Sequence, residues 1–218
     1  MSQRNVTALV GVSGFGKSRF SRRLLINGPF TWHFMFDSEF DDEDLTQTQY
    51  AYRLGLPSVG LAGLDLALMT GYVAFNPHLE FAGRLEEACD FFCNWAYELS
   101  ARLPGQKVLA IPEIWRYQKN QFIPQSLANI VQSGRPRQLH LVVDLQEANK
   151  LNTSITNGIS ELVAFKLQSK PALDYVEQFG LDREEVRTLQ KFQFIGVNCD
   201  SGSIRRGVLT ENGGEWRD

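Results

Sequence analysis

Val6-Thr7-Ala8-Leu9-Val10-Gly11-Val12-Ser13-Gly14-Phe15-Gly16-Lys17-Ser18 decides how the rest of this chain is read. The run Val6 to Val10 predicts a short buried strand. The next eight residues fit G-x-x-x-x-G-K-[ST], the phosphate-binding P-loop. Arg19 to Ile26 then reads as the start of a helix. Each part has a physical task. The glycines let the backbone turn back on itself, so that successive N–H groups point at phosphate oxygens. The helix N-terminus adds a partial positive charge. Lys17 is placed to reach the β- and γ-phosphates, and the Ser18 hydroxyl to ligate Mg²⁺. Gly11, Val12, Ser13, Gly14, Phe15, Gly16, Lys17 and Ser18 therefore form the expected nucleotide site. The competing reading is a chance Gly-rich turn, which strand, loop and helix in register disfavour.

A length of 218 residues suffices for one α/β domain with a sizeable core. Hydrophobic residues at 43% and charged residues at 22% point to a soluble globular protein. No apolar run of about 18 residues exists, so no membrane span is expected. No signal-peptide pattern precedes the first strand, and a cytoplasmic location is expected. Cys89, Cys93 and Cys199 are too few for a disulfide framework. Cys89 and Cys93 share a helix face, and His33, His78 and His140 are scattered, so buried reduced thiols are expected rather than a metal site. The net charge of −3 argues against a generally basic nucleic-acid binder. It leaves room for a small basic lining, multiplied around a ring.

Strand and helix signals alternate from end to end. They predict an α/β fold with a mostly parallel central sheet flanked by helices, in one domain over 1–209. A polar, Gly-rich tail follows at 210–218 and is expected to be mobile. Expected strands are 32–36, 72–75, 107–111, 139–145, 162–167 and 192–197, with a small hairpin at 203–209. Leu85, Ala88, Phe92, Trp95, Ala96 and Leu99 mark one buried face of a helix over 81–103, ended by Pro104-Gly105. Further helices are expected at about 44–54, 171–179 and 182–191.

A P-loop needs partners to hydrolyse anything, and an apolar strand ending in Asp-Glu usually supplies them. Here strand 107–111 runs into Pro112-Glu113-Ile114-Trp115. Glu113 is at the right place to polarise a water for attack on the γ-phosphate. A helix-capping acid is the plainer alternative. Pro112 stands where Asp would hold the metal shell. Either Asp37 or Glu39, at the end of the second strand, supplies the missing carboxylate, or Mg²⁺ is held by Ser18, phosphates and water alone. Gln146, at the end of strand 139–145, can sense the γ-phosphate through a hydrogen bond. Arg135 and Arg137 lie in the tight turn before that strand, and by themselves read as a solvated basic turn. Trp115-Arg116-Tyr117-Gln118-Lys119-Asn120 mixes basic and aromatic residues and is a candidate DNA-gripping pore loop, or else a surface loop.

Together these segments resemble the HerA/FtsK superfamily of ring-forming, DNA-pumping P-loop ATPases. Asp37-Ser38-Glu39-Phe40 looks like that group's acidic strand end, and His140-Leu141-Val142-Val143-Asp144-Leu145-Gln146 like its sensor strand. Val163 to Lys170 resembles the strand that follows, and Arg135 matches the position of the trans-acting arginine. Phe75-Asn76-Pro77, Phe91-Phe92-Cys93-Asn94-Trp95 and Pro104-Gly105 look most like the genome-packaging ATPases of membrane-containing, tectivirus-like phages. The resemblance covers about residues 5 to 209 and departs from the family at Pro112. It implies an ATP- and Mg²⁺-dependent motor in the cytoplasm of an infected cell, working at the packaging vertex of the virion. Its partners would be double-stranded DNA, further copies in a ring of about six subunits, and capsid portal-vertex proteins. Lys17, Ser18, Glu113 and Gln146 would act from one subunit, and Arg135 or Arg137 from the next.

Three rivals remain open on sequence. One is a P-loop kinase of a nucleotide or other small molecule, although no convincing Arg-rich lid is evident. Another is a filamentous-phage-type assembly ATPase, which normally carries a membrane span. The third is a non-enzymatic nucleotide-dependent scaffold, suggested only by Pro112.

Overall fold

The computed structural model describes residues 5–38, 59–117, 123–210 and 214–217, and only the backbone at 26 and 214–217. The expected helix at 44–54 and the candidate Glu39 lie outside the described residues. The described strands are β1 (Val6–Val10), β2 (Trp32–Phe36), β3 (Tyr72–Phe75), β4 (Lys107–Ile111), β5 (Leu139–Leu145), β6 (Ile159–Ala164), β7 (Gln193–Asn198), β8 (Ile204–Leu209) and β9 (Gly214–Arg217). The helices are α1 (Lys17–Asn27), α2 (Leu64–Leu68), α3 (Leu85–Ser100), α4 (Gln125–Ser133), α5 (Thr153–Asn157), α6 (Lys170–Glu177) and α7 (Arg183–Thr188). The expected class, a mostly parallel sheet with flanking helices, is the one observed.

The chain divides into two compact units. The first comprises Met1–Gly28, Glu113–Trp115 and Val142–Asp218, the second Pro29–Pro112 and Arg116–Leu141. Strand β5 contributes to both.

In the first unit the strand order is β5-β1-β6-β7-β8-β9. β1 is buried at every position, Thr7 included, and its mostly apolar sequence suits a central parallel strand. It pairs parallel with β6, with Val10 opposite Ala164. From β6 onward the pairing is antiparallel. β6 starts and ends three residues before the expected strand. Phe165 and Lys166 leave the ladder to run beside the P-loop, where the Lys166 carbonyl accepts the Val12 N–H at 2.9 Å. The expected hairpin at 203–209 is instead one strand, β8, paired on both edges. Its second partner, β9, falls within the segment expected as a polar tail. Phe20 on α1 meets Phe194 and Phe165 edge-on, with ring centroids at 5.0 and 6.1 Å, and so fixes α1 on the sheet.

In the second unit the order is β3-β2-β4-β5, with β2 parallel to both β3 and β4. Helix α3 buries Ala88, Cys89, Phe92, Cys93 and Ala96, the expected three- and four-residue spacing. Phe92 stacks on Phe75 at 4.9 Å and on Trp95 at 5.6 Å. The Cys89 and Cys93 sulfurs are 3.9 Å apart. The neighbouring thiol and burial push the Cys89 thiol well up, so it stays protonated. Helix α4 was not expected from the sequence. Leu127, Ile130 and Val131 form its buried stripe, and Asp90 on α3 takes the N–H and hydroxyl of Ser126 in its first turn. Burial pushes the His140 imidazole down to about 4, so it is neutral at pH 7.

Candidate nucleotide site

In the first unit, β1 delivers the chain to Gly11, whose N–H donates to the Leu145 carbonyl at 3.2 Å. Gly11, Gly14 and Gly16 have φ values of 153°, 79° and 119°, in the region that side chains rarely enter. A Cβ on Gly11 would lie 2.7 Å from the Phe165 Cβ, and one on Gly16 2.9 Å from the Leu209 Cδ1. Around Gly14 nothing lies within 4 Å. The loop is thus pressed on Phe165 and Leu209 at its two ends and open at its middle.

Gly16 is the N-cap of α1. No side chain caps it, and no acidic residue stands in the first turn. The first-turn N–H groups are therefore offered to an anion, with the helix dipole behind them. Lys17 is buried, and its Nζ donates to the Gly11 and Val12 carbonyls at 2.7 and 3.4 Å. Ser18 is half-buried in the same turn. Behind the loop, the Phe192 N–H donates to the Phe15 carbonyl at 3.1 Å. Arg19 and Arg23 both donate to the Thr210 carbonyl, at 2.7 and 2.8 Å. These residues fit a nucleotide phosphate: they provide a loop with three glycines at positive φ, an uncapped helix start and a buried ammonium.

The first unit also holds Glu113. Its backbone has φ 45°, unusual for a residue other than glycine. Its N–H donates to Asp144 Oδ1 at 3.1 Å. Its buried carboxylate accepts from Gln146 Nε2 at 3.1 Å on Oε1, and from the Trp115 indole Nε1 at 2.5 Å on Oε2. The fold thus joins two residues singled out 33 positions apart in the sequence. Asp144 and the inward role of Trp115 were not foreseen. The one signal for Asp144 was a charge inside the apolar stretch Leu141 to Leu145 of β5. Nothing in the sequence pointed to the tryptophan as a partner of Glu113.

The remaining candidates lie in the second unit. Asp37 is buried at the end of β2, with its N–H on the Phe75 carbonyl at 2.9 Å. Arg135 is partly exposed in the turn before β5. Arg137 is engaged within its own unit: its guanidinium lies 3.6 Å from the Tyr97 ring centroid and donates to the Tyr97 carbonyl at 2.6 Å. The candidate pore loop is corrected in part. Tyr117 is buried and hydrogen-bonded to Ser38, with its ring edge-on to Phe36 at 5.0 Å, and Trp115 is turned to Glu113. Residues 118–120 lie outside the described set. Among the described residues, no cluster of three or more His, Cys, Asp or Glu could hold a metal ion, and no helix is long and apolar enough to cross a membrane.

No protein-family model matches the sequence, and no curated protein does. Solved structures do. The genome packaging NTPase B204 from Sulfolobus turreted icosahedral virus 2, in complex with AMPPCP, aligns over 94% of this chain and 97% of its own. The TM-score is 0.67 and the identity 16%. VirB4 of Thermoanaerobacter pseudethanolicus aligns over 88% and 86%, with TM-score 0.61 and 10% identity. The plasmid coupling protein TrwB, in complex with the GTP analogue GDPNP, aligns over 94% and 85%, with TM-score 0.58 and 12% identity. The chain has the P-loop NTPase fold. In this fold the P-loop follows β1, Glu113 follows β4 and Gln146 follows β5.

Proposed function

We propose that this chain is an ATPase that drives double-stranded viral DNA into a preformed capsid, as one subunit of a ring. The observation that carries the hydrolytic part is the Glu113–Gln146 hydrogen bond, in the same unit as the P-loop. A carboxylate linked to an amide at the neighbouring strand end is what a base coupled to a γ-phosphate sensor needs. The packaging part is supported by the near end-to-end alignment with B204.

In this reading the N–H groups of 12–16 and the Lys17 ammonium hold the β- and γ-phosphates, exchanging the loop's own carbonyls for phosphate oxygens. The Ser18 hydroxyl would hold Mg²⁺, which draws charge from the phosphate oxygens when bound. A further carboxylate, Asp37 or Glu39, would complete that shell. Glu113 orients a water and takes its proton. Gln146 reports whether the γ-phosphate is present. Arg135 would reach the nucleotide of the next subunit, in a ring of about six that docks on portal-vertex proteins in the host cytoplasm.

The test measures ATP turnover with and without duplex DNA, alongside mass in solution. Turnover stimulated by DNA, abolished in Lys17→Ala and slowed at least about a hundredfold in Glu113→Gln, is expected. Phosphate transfer to a nucleoside would replace this reading with a kinase. Unchanged turnover in a folded Lys17→Ala protein would end it.

A further inference from the structure

We propose that Trp115 is a positioning residue that fixes the Glu113 carboxylate for attack on the γ-phosphate. The proposal rests on reading Glu113 as the hydrolytic base.

The place before Glu113 is taken by Pro112, which has neither a carboxylate nor an N–H to offer. Support for Glu113 therefore comes from elsewhere. Asp144 takes its backbone N–H and holds the left-handed conformation. Two neutral donors, on different carboxylate oxygens, fix the side chain. The two donors differ in what they are free to do. Gln146 is exposed at a strand end and has the sensing task, so its bond to Glu113 has to yield or turn as the phosphate changes. Trp115 is two residues from Glu113 and has no such task. Trp115 is 39% exposed, so it is not a core residue. Its polar edge nevertheless points inward to the carboxylate. The Lys150 ammonium lies 5.3 Å from its ring centroid and is itself paired with Glu147 at 3.0 Å. The indole thus has a cation over its ring as well as a carboxylate on its N–H. A carboxylate oxygen accepts two hydrogen bonds, so the indole bond on Oε2 leaves room for the water that Glu113 has to orient. Without it the carboxylate turns on Gln146 alone, and the near-attack geometry is lost.

The substitution that isolates this bond is Trp115→Phe, which keeps an aromatic ring and removes the N–H. Turnover is expected to fall between about tenfold and a hundredfold. The KM for ATP, and the affinity for a non-hydrolysable ATP analogue measured by titration, should stay within about twofold. That affinity also shows that the variant is folded. In a Glu113→Gln background, Trp115→Phe should cost nothing further, because the two residues act as one unit. Wild-type turnover in Trp115→Phe, or the same fractional loss in both backgrounds, overturns the proposal. Wild-type turnover in Glu113→Gln is a different result. It removes Glu113 as the base, and the role of Trp115 with it.

Discussion

Single residues of the loop carry unequal burdens, and the glycines show it. Gly11 has φ 153° and faces the Phe165 Cβ, whereas Gly14 has φ 79° and open space around it. An alanine at 14 meets only the backbone penalty of the left-handed region, about 1 kcal/mol. An alanine at 11 meets backbone strain and a clash with a neighbour that cannot swing away, together about 3 kcal/mol. Urea unfolding of Gly11→Ala and Gly14→Ala should separate them by about 2 kcal/mol. Equal midpoints would mean that the start of the loop is not seated on Phe165. The motif was legible in sequence because glycine spacing and a Lys-Ser pair are local signals. Glu113 and Gln146 were legible because each ends an apolar strand. The Trp115 and Asp144 contacts were not, because a hydrogen bond across strand ends leaves no periodicity in the chain.

Elements explain what Arg137 does inside its own unit. Arg137 spans from its turn to the last part of α3, where it stacks on Tyr97, takes up a carbonyl near the helix end and lies 3.6 Å from the Glu98 carboxylate. Arg137→Ala should therefore destabilise the fold by about 1–2 kcal/mol. The loss should appear in thermal or urea unfolding of the isolated subunit, whether or not it turns over ATP. A stability equal to wild type would return Arg137 to the list of catalytic arginines. The same scale shows where sequence reading stopped. The long strands and α3 were placed to within a few residues, since the strands are mostly apolar and α3 carries a helical stripe. Helix α4 was missed, because its buried stripe consists of Leu127, Ile130 and Val131, too short to stand out. β6 slipped because Phe165 and Leu167 are buried like strand residues, although the chain has left the ladder at Phe165 and Lys166 to run beside the P-loop.

At the scale of the whole molecule, Arg135 is the handle on the proposed ring. Arg135→Ala subunits and Glu113→Gln subunits should each lose most of their turnover. Mixed, some interfaces would join an intact Glu113 to an intact Arg135, and part of the activity should return in an assembly of confirmed mass. Full turnover by Arg135→Ala as a monomer would make the turn a plain basic loop. The first unit has another consequence, for how the protein is made. The P-loop lies near the N-terminus, yet Gly11 leans on Leu145 and Phe165, Val12 on Lys166, Gly16 on Leu209, and helix α1 on Thr210. Such distant pairings are slow to close and form late. A nascent chain on the ribosome therefore carries the full nucleotide motif long before it can shape it. The loop is seated only once Leu209 has emerged, so interrupted translation is expected to leave the motif without the partners that shape it.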